Sequence, residues 1–327
     1  MPPELLLQFL NDPAWDAPFF KRLAPNDTAN APGHQGGMAV PIALRPYLPA
    51  LDEDLASAAE PTVERQIVAE MFIPGRQLGR AVVRYQYQTW TGKRSAEGRL
   101  TKNLGPLRRL AFGDDLLILQ RSRDRLDTFR LLLIRSTDAA FPAFVTLTQG
   151  QRWGALFAER APVSQPEVAA ARALMLAEAA APFVPIRDDV PRVPTTRLAI
   201  ARDTAFRDTV VRQYQERCAV SGIALTTGER HEAQAAHIIP LERGGADEPR
   251  NGLTLTATLH WAFDRGLFGV GDDRRVIVPP RVRATPNNAW LVQFHNQAIA
   301  EPQFAALRPA PAALAWHRKT LLARRPA

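Results

Sequence analysis

Two histidines that bracket an asparagine within two dozen residues constrain this chain more than any other feature of its sequence. His237 and Asn251 are separated by 13 residues, and Asn251 and His260 by 8. Residues 232–237 have the pattern of a β-strand, and residues 242–252 form a loop containing glycines. A helix is predicted to follow. The segment therefore predicts a small strand-loop-helix unit that brings the two imidazoles together.

The predicted helix offers a half-site for a divalent cation. Thr256 or Thr258 caps it, and Gly266 ends it. On this helix His260 and Asp264 are four residues apart, so both side chains project from one face. An imidazole and a carboxylate on adjacent turns suit a divalent cation, although an Asp near a helix end can instead be a cap or an ion-pair partner.

His237 and Asn251 have different predicted tasks. A neutral imidazole, with a pKa near ~6.5, can take a proton from water at neutral pH. The amide of Asn251 both donates and accepts, so it can tie down loop backbone that would otherwise leave His237 mobile. His231 and His295 have no such surroundings, and we expect them to be structural.

Size and composition are those of an ordinary globular protein with room for two domains. The chain has 327 residues, of which 46% are hydrophobic and 23% charged. No run approaches the ~18 apolar residues of a membrane span, so no membrane partner is expected. Cys218 is the single cysteine, which excludes a disulfide framework or a four-cysteine zinc site within one chain. A reducing, cytoplasmic location and no structural zinc are expected.

Positive charge is concentrated in one stretch. The chain has a net charge of +8, and residues 74–109 hold nine basic residues and one acidic residue, which give the same +8. Such a patch is typical of proteins that bind the phosphate backbone of nucleic acids. The alternative is a solvated face. Tyr85, Tyr87 and Trp90 within the stretch favour nucleic acid.

Three regions follow one another along the chain. Residues 1–150 are predicted to be a mostly β domain, with strands at 82–87, 115–119 and 129–134. Residues 151–196 are predicted to be a connector, made of a helix at 168–181 and a proline-rich stretch. Residues 197–327 are predicted to be a second domain. It contains the strand-loop-helix unit, a helix at 206–215, a strand and turn at 217–222, and a strand at 275–278.

Residues 217–282 resemble the HNH, or ββα-metal, endonuclease family. The motifs are Ala-Ala-His-Ile-Ile-Pro at 235–240, Gly-Gly-Ala-Asp-Glu-Pro-Arg-Asn-Gly-Leu at 244–253 and Leu-His-Trp-Ala-Phe-Asp at 259–264. The matched positions are Cys218, Gly222, His237, Pro240, Gly244, Gly245, Asp247, Asn251, Gly252, Leu253, His260, Phe263, Asp264 and Gly266. Many matches at one spacing make this a specific signal.

The resemblance implies a role for each motif residue. His237 would be the general base, Asn251 would orient the catalytic loop, and His260 would bind one divalent metal, Mg2+ first, with Mn2+ or Co2+ as alternatives. The chain departs from the family at Ala236, where many members have an Asp or His as a second metal ligand. Asp264 is the candidate replacement.

A second resemblance covers residues 19–137. Lys-Arg-Leu-Ala-Pro-Asn-Asp-Thr at 21–28, Gly-His-Gln-Gly-Gly-Met at 33–38 and Arg-Tyr-Gln-Tyr at 84–87 are similar to the N-terminal DNA-binding domain of EcoRII-type restriction enzymes. That family folds as a pseudobarrel whose two arms straddle a duplex. The alternative is that the first two motifs merely form turns. The candidate DNA contacts are Lys21, Arg22, Asn26, His34, Gln35, Arg84, Tyr85, Lys93, Arg94, Arg99 and Lys102.

Together the two resemblances imply an α+β protein. A β-rich DNA-binding pseudobarrel would precede a helical and Pro-rich linker and a C-terminal ββα-metal nuclease domain. This pairing resembles McrA-type modification-dependent restriction enzymes, which implies double-stranded DNA with 5-methylcytosine or a related modified cytosine as substrate. A sequence-specific, methylation-independent restriction enzyme and a DNA-binding protein with a degenerate nuclease domain are the alternatives. Because one centre serves one strand, we expect a homodimer.

Overall fold

The computed structural model describes residues 2–30, 37–57, 59–90, 95–157, 159–187, 197–226 and 231–323. The chain divides into two compact units, Met1–Pro166 and Glu167–Ala327. The boundary falls within 151–196, the segment whose composition predicts a connector. We describe each unit by itself.

Unit 1 is built on an eight-stranded sheet. Its strands are β1 (Phe19–Arg22), β2 (Met38–Val40), β3 (Thr62–Ile73), β4 (Arg76–Gln88), β5 (Glu97–Thr101), β6 (Leu116–Arg121), β7 (Thr128–Ile134) and β8 (Trp153–Ala155). Their order across the sheet is β2-β5-β4-β3-β7-β6-β1-β8. All neighbours are antiparallel except β3 and β7, which are parallel. The helices are α1 (Pro3–Leu10), α2 (Gly105–Arg108) and α3 (Phe141–Leu147).

Both faces of this sheet carry a hydrophobic core. On β6, Leu117 and Leu119 pack in one cluster of buried side chains, and Leu116 and Ile118 pack in another. Successive strand residues point to opposite faces, so a strand that is apolar at every position must be covered on both sides. The strands predicted at 82–87, 115–119 and 129–134 are confirmed as parts of β4, β6 and β7.

Unit 2 combines helices with two short hairpin-like sheets. The helices are α4 (Gln165–Glu178, which begins just before the unit boundary), α5 (Arg197–Gln213), α6 (Ala257–Asp264), α7 (Pro280–Arg283), α8 (Ala289–Val292) and α9 (Pro311–His317). The strands are β9 (Gln234–His237), β10 (Gly252–Leu255), β11 (Gly269–Val270) and β12 (Val276–Ile277). With the β-rich unit 1, this confirms the predicted α+β class.

The predicted strand-loop-helix unit is present as β9, β10 and α6. β9 pairs with β10 in antiparallel register, with His237 opposite Gly252. Thr256 caps α6, because its hydroxyl accepts a hydrogen bond from the Leu259 N–H. The helix ends at Asp264, and Gly266 follows in the left-handed region at φ 64°. Both helix ends are therefore as the sequence predicts.

One predicted strand is wrong. The chain forms tight turns at 217–222 instead, where the Gly222 N–H donates to the Cys218 carbonyl and the Cys218 N–H donates to the Ile223 carbonyl. The apolar residues Cys218, Ala219 and Val220 are buried within these turns. The Ala219 N–H donates to the Thr254 carbonyl and so joins the turns to β10. Within the described ranges, no helix has the length and apolar character needed to cross a membrane.

Candidate active site

His237 ends β9 and is held from two sides. Its Nε2 atom lies 2.9 Å from Oδ1 of Asp247. Its ring stacks on Phe206 of α5, with centroids 3.9 Å apart and an angle of 10° between the planes. Phe206 is fully buried, while the His237 side chain is 16% exposed. The imidazole is therefore fixed in orientation but remains accessible to solvent.

Asn251 ties the loop to the end of β9. Its Oδ1 accepts from the Ile239 N–H at 2.9 Å, and its Nδ2 donates to the carbonyls of Ile239 and Ala246 at 2.9 and 3.0 Å. The side chain is completely buried. Three hydrogen bonds from one amide thus close the loop between residues 239 and 251, and this loop carries Asp247.

Gly245 is required by the close approach of the loop to β9. A Cβ at this position would lie 1.9 Å from the Ile239 carbonyl oxygen and 2.9 Å from Nδ2 of Asn251. No side chain fits there unless the backbone moves. The second glycine of the Gly-Gly pair is therefore explained by its close approach to the Ile239 backbone.

His260 and Asp264 face each other on α6. Nε2 of His260 lies 3.6 Å from Oδ2 of Asp264. The other ring nitrogen, Nδ1, lies 3.0 Å from Oε1 of Gln234 on β9, which accepts a hydrogen bond from a protonated Nδ1. That contact leaves the Nε2 lone pair directed away from Gln234 and available to a cation beside the carboxylate.

Burial sets the ionisation of this pair. It lowers the pKa of His260, and Arg207 and His237 lower it further, while Asp264 opposes them. Burial also raises the pKa of Asp264, and Glu242 adds to that rise against the opposing charges of His260, Arg265 and His237. The pair thus combines a neutral imidazole with a carboxylate whose negative charge is unfavourable in this buried position. A bound cation would stabilise that charge, so the pair fits a cation site.

The donor set fits a divalent ion held by few protein atoms. Among the residues that the structure describes, no group of three His, Cys, Asp or Glu side chains is arranged to hold a metal ion. Ala236, at the family's usual ligand position, is fully buried and has no donor. His260 and Asp264 remain as two donors. Mg2+ commonly keeps several waters and takes only one or two protein ligands.

Sequence reasoning missed the supporting residues of this site. It matched Asp247 to a family position without giving it a role, and it did not single out Phe206, Gln234 or Arg207. Phe206 lies 31 positions before His237 in the chain, so no local pattern connects them. The contact arises because α5 packs on β9 and β10.

In unit 1, three of the candidate DNA contacts line one polar cavity of about 500 Å3. Arg84 donates to Thr101 Oγ1 at 3.0 Å and to Glu64 at 3.1 Å. Arg99 is mostly buried and pairs with Glu97. Lys102 is exposed. The full lining is Gly37, Arg84, Gln86, Gln88, Trp90, Arg99, Thr101, Lys102, Asn103, Leu104, Gly105 and Arg108.

Other candidate DNA contacts lie inside the unit or beside a second cavity. Lys21 is 8% exposed, and its Nζ contacts Asp27 at 2.6 Å and the Ala39 carbonyl at 2.5 Å. Burial lowers the pKa of Lys21, and Asp27 opposes that change. Tyr85 belongs to the core, where burial raises its pKa to about 12. Arg22 is half-buried beside a cavity of about 720 Å3, and Asn26 is exposed.

Four candidate DNA contacts lie outside the described residues: His34, Gln35, Lys93 and Arg94. Their parts in DNA binding stay predictions from the sequence.

Comparison with known proteins identifies the family of the unit 2 site. Residues 218–271 match the model of the HNH endonuclease family. These residues therefore form an HNH endonuclease domain, and His237, Asn251, His260 and Asp264 all lie within it. Comparison with curated proteins gives no match.

Two solved structures are similar to the chain. The modification-dependent TagI restriction endonuclease is 14% identical, with a TM-score of 0.32, over 91% of this chain and 80% of its own. The B3 domain of the UbaLAI restriction endonuclease, solved with cognate DNA, is 20% identical, with a TM-score of 0.28, over 40% of this chain and 77% of its own. Both TM-scores are below 0.5, so the nuclease assignment depends on the family match.

Proposed function

We propose that this protein is a restriction endonuclease that hydrolyses phosphodiester bonds of double-stranded DNA carrying 5-methylcytosine or a related modified cytosine. One observation carries the nuclease part of the proposal. A single HNH domain contains His237, which Asp247 and Phe206 hold in place, and the adjacent side chains of His260 and Asp264, which can bind a cation. A general base and a cation site are the two elements that phosphodiester hydrolysis needs.

His237 is the general base in this proposal. It removes a proton from a water molecule, and the resulting hydroxide attacks phosphorus. The bond from phosphorus to the leaving oxygen breaks, and that oxygen becomes a hydroxyl by taking a proton from solvent. Asn251 keeps the loop closed, so the imidazole stays aimed at the water. A divalent cation held by His260 and Asp264 would supply Lewis-acid stabilisation of the leaving oxygen. Mg2+ is the first choice, with Mn2+ and Co2+ as alternatives.

Unit 1 is the DNA-recognition part in this proposal. The polar cavity places Arg84 and Lys102 near the amides of Gln86 and Gln88 and the ring of Trp90. Cationic side chains contact phosphates, and amides can hydrogen-bond to base edges. The resemblance of residues 19–137 to EcoRII-type DNA-binding domains supports the same assignment.

The dependence on modified cytosine comes from the resemblance to McrA-type enzymes. Matched plasmids with and without cytosine methylation test it, digested by the full chain in Mg2+, Mn2+ or Co2+. We expect cleavage of the methylated plasmid at least about tenfold faster, a difference of roughly 1.4 kcal/mol. Equal cutting of both plasmids would instead identify a methylation-independent restriction enzyme. No cutting of either would favour a DNA-binding protein with a degenerate nuclease domain.

A homodimer is the proposed cleaving form. One HNH centre attacks one strand, so a double-strand break requires two centres. Mass photometry of the protein on substrate DNA is expected to show two protomers per site. A monomer that makes complete double-strand breaks would contradict this.

A further inference from the structure

We propose that Asp247 is a positioning residue that fixes the proton of His237 on Nε2 and so makes Nδ1 the atom that accepts the proton of the attacking water. This inference deepens the proposed function, because it takes His237 to be the general base. Nothing in the family match assigns a task to Asp247.

The first step concerns which nitrogen carries hydrogen. Oδ1 of Asp247 lies 2.9 Å from Nε2 of His237. A carboxylate oxygen accepts hydrogen bonds and does not donate them, so the nitrogen that faces it must be an N–H. A neutral imidazole has one N–H. The lone pair is therefore on Nδ1, the nitrogen on the other side of the ring.

The second step concerns the direction of that lone pair. The Phe206 ring lies flat against the imidazole, at 3.9 Å and 10°. Phe206 reaches this position because Gly252, which pairs with His237, has no side chain. A Cβ on Gly252 would lie 3.0 Å from the Phe206 ring and 2.6 Å from Val210. Stacking fixes the plane of the imidazole, and Asp247 fixes its rotation within that plane.

The third step concerns Asp247 itself. Only 4% of its surface is exposed, and its neighbours Ala246 and Glu248 are equally buried. The Ala246 carbonyl accepts a hydrogen bond from Asn251 at 3.0 Å. The backbone next to Asp247 is thus anchored by the same amide that closes the loop. Asn251 therefore acts on His237 through the backbone of the loop that carries Asp247 and through the backbone of Ile239, two residues after His237.

The arrangement also suits the charge that develops during proton transfer. When Nδ1 takes a proton from water, the imidazole becomes a cation with N–H groups on both nitrogens. The Asp247 carboxylate then faces the charged ring across the Nε2–H hydrogen bond, and charge-assisted hydrogen bonds are stronger than neutral ones. Asp247 thereby stabilises the product of the proton transfer without touching the substrate.

A spectroscopic test separates this role from a purely structural one. The full chain, with 15N-labelled histidine and free of metal and DNA, is examined by long-range 1H–15N correlation NMR, and the His237→Ala variant assigns the resonance. We expect Nε2 of His237 to be protonated and Nδ1 to have the shift of an unprotonated ring nitrogen. Protonation on Nδ1 in the wild-type protein would overturn the proposal, whatever any variant does.

The matched variant is Asp247→Asn. An amide can donate to Nε2, which moves the ring proton to Nδ1 and removes the base. We expect kcat to fall by roughly 10²–10⁴, with KM for DNA changed less than about twofold. Asp273→Asn, an exposed aspartate elsewhere in unit 2, is the control and should leave both unchanged. A kcat of Asp247→Asn equal to that of the wild type would also overturn the proposal.

Failure of this inference is distinguishable from failure of the proposed function. The NMR measurement needs neither DNA nor cleavage. A chain that cuts DNA but carries its His237 proton on Nδ1 overturns the role of Asp247 alone. A chain with the expected tautomer and no cleavage supports the role of Asp247 and contradicts the nuclease proposal.

Discussion

The two histidines of the HNH domain use opposite ring nitrogens for their protein contacts. His237 directs Nε2 to Asp247, and His260 directs Nδ1 to Gln234. Each contact leaves the other nitrogen for the task that we propose for it, which is base chemistry at His237 and cation binding at His260. Which nitrogen a histidine uses is set by the hydrogen bond that the other one makes.

Asp264→Asn is expected to weaken divalent-cation binding. An amide keeps the size of the side chain but loses the negative charge beside Nε2 of His260. We expect the Kd for Mn2+, measured by isothermal titration calorimetry on the full chain, to rise at least about tenfold, or roughly 1.4 kcal/mol. His231→Ala serves as a control, because its ring has a hydrogen bond to the Ala233 carbonyl two residues away. An unchanged Mn2+ affinity of Asp264→Asn would show that Asp264 does not bind the cation.

Asn251→Ala is expected to destabilise unit 2. The change leaves the Ile239 N–H and the carbonyls of Ile239 and Ala246 without their amide partner in a buried site. Unsatisfied buried groups cost about 1–3 kcal/mol each, and we expect a total near ~3 kcal/mol after relaxation. Urea unfolding followed by fluorescence measures it. Asn288→Ala, which loses one 3.3 Å contact, should cost far less, and equal losses would contradict the account.

At the scale of elements, α9 holds the end of the nuclease helix through His317. Nε2 of His317 donates to the Phe263 carbonyl at 3.0 Å, and its ring stacks on Phe263 at 3.8 Å. His317 is 1% exposed. Burial lowers its pKa to about 4. The last turn of α6 thus depends on a histidine that is neutral in the folded protein.

This histidine predicts a loss of stability in mild acid. Between pH 6.5 and about 4 the unfolded chain binds a proton at His317 and the folded chain does not, so stability falls as pH falls through that window. A difference of about 2.5 pKa units corresponds to about 3 kcal/mol. His317→Gln keeps a donor for Phe263 and does not titrate. Between pH 6.5 and about 4 its unfolding free energy should fall by about 3 kcal/mol less than that of the wild type. An equal fall in both proteins would contradict the assignment.

Elements were predictable from the sequence where local pattern determines them. The apolar runs of β6 and β7 and the threonine cap of α6 are signals contained within a few residues. The turns at 217–222 were not predictable, because the backbone of Ala219 bonds to Thr254 of β10. For the candidate site, the motif predicts the two histidines and Asn251. It does not predict Phe206 and Gln234, because their contacts with the histidines exist only after α5, β9 and α6 pack together.

The basic stretch at residues 74–109 is a further example of what the sequence alone does not predict. Charge counts predict a phosphate-binding face, yet Arg99 is buried and pairs with Glu97. Arg108 likewise donates to the carbonyls of Asp27 and Thr28. Part of the positive charge therefore holds unit 1 together. Composition cannot distinguish such structural cations from those that face solvent, such as Lys102.

At the scale of the whole molecule, the polar cavity of unit 1 predicts the salt dependence of DNA binding. Arg84→Ala and Lys102→Ala each remove one cation from its lining. We expect each to weaken binding and to lower the slope of log K against log salt by about one. Fluorescence anisotropy over a salt series measures this. Arg283→Ala, an exposed change in unit 2, is the control. An unchanged slope for both cavity variants would show that DNA does not bind at this cavity.

We propose that His237 is the base of a metal-dependent DNA endonuclease, and a digestion experiment with a matched histidine control can test this role. Wild type, His237→Ala and the control His231→Ala are incubated with unmodified, 5-methyl and 5-hydroxymethyl DNA in Mg2+, Mn2+, Co2+ or EDTA. We expect wild type and His231→Ala to cut modified DNA only with metal. His237→Ala should be slower by roughly 10²–10⁴. Metal-dependent cleavage by His237→Ala at the wild-type rate would contradict the account.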